Sequence, residues 1–158
     1  MGTIRVEFVP VKKFGLGLLF FDHLHVVYQD ETDVLDSQDY WYLLEGVIDG
    51  SAFAGTLGAL GADGRTSLAV ANDASREDLV AKIGTPEQRG SRILTTGPDA
   101  LLKWDQVVAY GAAIEAQHFP YIAYAQPFSL SPTINSTSFI ASALWSVGID
   151  VSLLIGIA

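Results

Sequence analysis

Histidine is the one side chain whose unperturbed titration falls near neutral pH, and this 158-residue chain has three. Two of them stand in Asp22-His23-Leu24-His25, within a run whose aromatic and β-branched residues read as strand. Alternation then sets His23 and His25 on one face, with Leu24 and Val26 on the other. Imidazoles so placed serve as a general base, as part of a metal site, or as strand residues hydrogen-bonded to backbone. Metal binding needs a third ligand from His118 or a carboxylate that the spacing does not supply, so no metal and no cofactor is expected. His118 itself falls at the end of an expected helix, where a cation suits the helix dipole.

A base needs a nucleophile within hydrogen-bond reach. Asn135-Ser136-Thr137-Ser138 follows Pro132 and Thr133 and opens an apolar run. Asn and Ser are favoured helix N-caps because their side-chain oxygens accept from amides that have no intrahelical partner. The same position stabilises an anion, and adjacent amides can hold an oxyanion. The acyl-transfer reading therefore casts Ser136 as nucleophile, Asn135 as its neighbour in the motif, and His23, or else His25, as base. Glu45 and Asp49, on the next expected strand, are candidates to orient the base.

A strand His in Asp22-His23-Leu24-His25-Val26-Val27-Tyr28, followed much later by Asn135-Ser136-Thr137-Ser138-Phe139-Ile140, resembles the circularly permuted papain-like (NlpC/P60-type) hydrolases. There a strand histidine precedes a helix-start Asn-Cys-x-x-Phe nucleophile motif. The resemblance implies an amidase, peptidase or acyltransferase fold, with Ser136 at the nucleophile position, His23 as base and Phe139 as the first core residue of the nucleophile helix. This chain has Ser where the family has Cys. A hydroxyl needs a base poised during attack whereas a thiol is already partly ionised, so the chain is expected to be a serine version or an inactive descendant.

The elements that must position these residues follow from periodicity. Thr3 to Val9 alternates, with Ile4, Val6 and Phe8 opposite Arg5 and Glu7, as in a half-buried strand ended by Pro10. A second strand, or two with a bend at Gly15 and Gly17, runs from Phe14 to Tyr28; a third, Tyr40 to Ile48, would complete a hairpin across an acidic loop. Tyr40, Trp41 and Tyr42 are expected to pack across strands rather than to form a ligand platform. Gly50 to Gly64 is Gly/Ala-rich without a phosphate-binding pattern and is expected to be irregular. Short elements follow: a strand at Thr66 to Val70, a helix from Ser75 to Gly84, and a turn from Thr85 to Gly90. After Gly97-Pro98-Asp99, the spacing of Leu101, Trp104, Val107, Val108 and Ile114 predicts a helix that packs on the sheet. Pro120 stops it. Tyr121 to Tyr124 then reads as strand, Gln126 to Thr133 as loop, Asn135 or Ser136 to Val147 as helix, and Ile149 to Ile157 as an apolar strand or tail.

Strands first and helices later indicate an α+β domain, an antiparallel sheet with two to three packed helices, spanning 1–158 as one unit. Nearly half the residues are apolar and 17% are charged, which suffices for a core. A net charge of −9, densest between Gln29 and Asp39, disfavours nucleic acid and anionic lipid and suits a neutral or cationic partner. The partner is expected to be a peptide, amide or ester substrate, or, if the chain is a non-enzymatic module of a toxin or phage-type system, another protein. Cysteine is absent, which excludes disulfides and thiolate chemistry. No membrane span is expected, because Phe14 to Phe21 is too short and Asp150 interrupts Phe139 to Ala158 at a cost of roughly 2.5–3.5 kcal/mol near a bilayer centre. The first residues lack a signal-peptide pattern, so residence in the cytoplasm or export without a leader is expected.

Overall fold

A computed structural model describes residues 2–10, 22–30, 41–49, 55–67, 90–120 and 136–151, apart from the side chains of 8–10, 22, 23, 48, 49 and 136. These residues form an α+β architecture of a five-stranded antiparallel sheet and two helices. The strands are β1 (Gly2–Pro10), β2 (Asp22–Gln29), β3 (Tyr42–Asp49), β4 (Thr56–Leu60) and β5 (Gly90–Gly97); the helices are α1 (Ala100–Glu115) and α2 (Ser136–Trp145). The sheet order is β4-β3-β2-β1-β5.

The pattern of Ile4, Val6, Leu24, Val26, Tyr28 and Leu44 gives the sheet one continuous apolar face. Both helices cover it: Trp104, Val107 and Val108 from α1 join Phe139, Ile140, Ala143 and Leu144 from α2 in a single buried cluster. Trp104 stacks on Tyr28 with ring centroids 5.8 Å apart and an interplanar angle of 19°. Its indole N–H donates to the Gly64 carbonyl at 3.4 Å. Leu101, placed on this stripe by spacing, is instead about half exposed, because the packing stripe runs through Ala100, Trp104, Val107, Val108 and Gly111.

Two helix ends use left-handed residues. Gly148 (φ 81°) follows α2, with its amide donating to Trp145 O and the Ile149 amide to Leu144 O, a pairing that satisfies the last carbonyls. His118 (φ 52°) takes the corresponding place after α1 and is exposed, in keeping with a helix-ending residue.

Two strands differ from expectation. Thr56 to Leu60 lies in the Gly/Ala-rich stretch read as irregular, yet it pairs along β3 from Asp49↔Thr56 to Glu45↔Leu60. Small residues there let the helices approach the sheet closely: Ala59 packs on the main core and its amide donates to the Glu115 carboxylate of α1. Gly90 to Gly97 forms the edge strand β5, whose register with β1 shifts between Ile4 and Arg5. It has little apolar alternation because three consecutive residues, Ser91 to Ile93, are exposed.

Of the strand expected at Thr66 to Val70, Ser67 forms an isolated bridge with Tyr42 and Thr66 O accepts the Leu43 amide. The expected elements at 14–21, 75–84, 121–124 and 126–133, the turn at 85–89, most of the acidic loop, Asn135 and the tail beyond Val151 lie outside the described residues. No helix among the described residues is long and apolar enough to cross a membrane.

Candidate functional site

The second face of the sheet, away from both helices, carries the candidate chemistry. The antiparallel register sets Glu7 opposite His25 and His25 opposite Glu45, a row of three titratable side chains across β1, β2 and β3. All three are buried: Glu7 is 1% exposed, His25 and Glu45 0%. His25 Nε2 lies 3.0 Å from Glu7 Oε1. The two atoms are within hydrogen-bond distance, the imidazole N–H donating to the carboxylate in the Nε2-protonated tautomer.

A second row lies two residues further along the same face, where Arg5, Val27 and Leu43 are in register. Val27, Leu43 and the buried Trp41 form a small apolar cluster with Leu60 packed against it. The Arg5 guanidinium carbon sits 5.3 Å from the centre of the Trp41 ring, within cation–π range. Arg5 Nε and Trp41 Nε1 are both buried donors with no acceptor among the described residues. Leaving such a donor unmet costs about 1–3 kcal/mol. Trp41 thus packs across strands as expected, while Tyr42 is 36% exposed.

Alternation alone sets Glu7 and Arg5 on the outer side of a half-buried strand. Glu7 is instead fully enclosed, with Oε1 at His25 Nε2. Glu45 does stand in register with His25, and Asp49 pairs with Thr56 at the far end of β3. The signal for Glu7 was its parity with Arg5 and with His25. It was masked because polar residues in alternation usually mark a solvated face.

His23 pairs in register with Val9, and Ser136 begins α2. The described geometry does not bring His25 and α2 together. Phe139, Ile140 and Leu144 seat α2 on the face of Val26 and Leu44, whereas the His25 side chain is on the face of Glu7, Val27 and Leu43. The sheet lies between them. Phe139 occupies the core at the first turn of α2.

No family model, curated protein or solved structure matches the chain.

Among the described residues no group of three His, Asp or Glu side chains is arranged to hold a metal ion. A buried imidazole hydrogen-bonded to a carboxylate, on a face turned from the expected nucleophile helix, is suited to fixing strand register. A general base needs a reachable lone pair beside a substrate proton.

One surface turn supports this face. Asp63 Oδ1 accepts from the Arg65 amide and the Thr66 hydroxyl, each at 3.0 Å. The Arg65 amide hydrogen bond is the main cause that holds its carboxyl below the ordinary aspartate value; the Thr66 hydroxyl adds to it and partial desolvation opposes it. The turn presents Thr66 O to the Leu43 amide, fastening β3 beside Trp41.

Proposed function

We propose that this chain is a non-enzymatic binding or assembly module, with its histidine strand serving the sheet rather than a reaction. The observation that carries this reading is the buried Glu7–His25 pair on the face opposite α2. A hydrolase built on Ser136 and His25 would need the two on one face. Removing one partner of a buried hydrogen bond costs about 1–3 kcal/mol, so a structural role alone accounts for such a histidine.

The surface supports a partner-binding role. Leu101, Leu102 and Trp145 project large apolar side chains into solvent from the helices, with Leu102 60% and Trp145 66% exposed. Aromatic side chains of this kind serve as interface anchors, and the net charge of −9 favours a neutral or cationic protein surface.

A fluorophosphonate probe distinguishes this module from a serine hydrolase of the permuted papain-like kind. The module leaves wild type and Ser136→Ala equally unlabelled. Labelling of wild type that Ser136→Ala abolishes would sink the module reading and restore acyl transfer with His23 as base.

A further inference from the structure

We infer that Arg5 and Trp41 form a binding site for a carboxylate group. The two side chains meet across the face turned from the helices, with Arg5 Cζ 5.3 Å from the Trp41 ring centre. Each brings a donor that is buried and has no acceptor among the described residues: Arg5 Nε and Trp41 Nε1. Trp41 is only 4% exposed. An indole N–H donates and never accepts, and a guanidinium only donates. The missing chemistry is therefore an acceptor, and beside a guanidinium an anionic one.

The neighbouring carboxylates do not supply it. Glu7, two residues from Arg5 on the same strand and face, directs Oε1 to His25 at 3.0 Å. Glu45 lies in the Glu7–His25 row, and no ion pair to Arg5 is present among the described residues. The cation–π contact keeps the guanidinium beside the Trp41 ring, so the donors of both side chains lie in one neighbourhood. A planar two-oxygen acceptor matches this set: one oxygen takes Arg5 Nε–H, and the other takes a second guanidinium N–H or the indole N–H. Such a group belongs to a free organic acid or to the end of a peptide chain. The site stands apart from the question of turnover, since it uses neither Ser136 nor His23.

The test is a titration of ¹⁵N-labelled full-length protein followed at the Trp41 indole N–H, assigned with Trp41→Phe. Sodium acetate should move that signal saturably while the Trp104 and Trp145 signals stay in place, and sodium chloride and acetamide at matched concentration should not move it. Arg5→Gln should weaken the acetate response at least tenfold, with the Trp104 and Trp145 signals reporting an intact fold. Should Arg5→Gln not fold, Arg5→Lys, which keeps the charge and loses the planar fork, should weaken it several-fold. Triglycine and its C-terminal amide separate the two sources. Triglycine binding tenfold more tightly than acetate assigns a peptide terminus, and equal binding assigns a free acid; the amide should not bind in either case. An unmoved Trp41 signal, an equal response to acetamide or chloride, or an undiminished response in the folded Arg5 variants overturns the proposal.

Discussion

His25 Nε2 and Glu7 Oε1 are 3.0 Å apart in the middle of the sheet, joined across two antiparallel strands whose register makes them direct neighbours. Val6 and Val26, one step along, form the corresponding pair on the helix-covered face. The sheet is thus held by an apolar contact on one side and a charged or polar one on the other. A one-residue slip of β2 would drive His25 into the apolar core and leave Glu7 without its imidazole. The pair and the apolar face therefore favour the same register.

Gly61 and Gly148 both take positive φ, at 87° and 81°, yet their surroundings differ. A Cβ at Gly61 would run into the Leu43 carbonyl oxygen, whereas one at Gly148 meets nothing within 4 Å. Gly148→Ala should cost about 1–2 kcal/mol, the strain of a left-handed L-residue. Gly61→Ala should cost more, because the β3 backbone beside Trp41 must also move. Urea denaturation of the two variants checks the order, and equal losses would show that the Gly61 turn does not press on β3.

Asp63 gives a pH dependence whose sign follows from its lowered folded-state pKa. Its contribution to stability is present above the unfolded aspartate value, about 3.9, and is lost as pH falls through the lower folded value. Asp63→Asn should therefore flatten part of the stability loss below about pH 4. The carboxyl ¹³C signal of Asp63 should titrate below that of an unstructured aspartate; a midpoint at or above it would contradict the turn geometry.

Trp104 joins the two helix-face contacts that matter most for α1. Trp104→Ala should lose about 3–5 kcal/mol, as for other buried aromatics. Trp104→Phe retains one ring near Tyr28 but loses the hydrogen bond to Gly64 O and part of the indole volume, and should lose more than about 1 kcal/mol but less than Trp104→Ala. Thermal unfolding of both variants measures the split.

Much of this arrangement was legible in the residues. The alternation of Ile4, Val6 and Phe8, the stripe of Trp104, Val107 and Val108, and the helix beginning at Ser136 all correspond to observed elements, as does the α+β class. Thr56 to Leu60 escaped because Gly and Ala have poor strand propensity, and only pairing with β3 makes them a strand. Glu7 escaped for a different reason. Local pattern gives the parity of a side chain, but whether the second face of a sheet is enclosed depends on distant parts of the chain. The same limit hid the separation of His25 from α2: sequence order names a histidine and a serine, and only packing decides which face each one meets.

The most direct test of the account is a double-mutant cycle on the pair itself, using Glu7→Met, His25→Leu and both together in reversible urea unfolding. Each single change should cost about 1–3 kcal/mol by removing the buried hydrogen bond between them. The double variant should cost less than their sum by about 1–3 kcal/mol. Additive losses within about 0.5 kcal/mol, or single variants of unchanged stability, would contradict a structural pair and return His25 to the list of residues in search of a reaction.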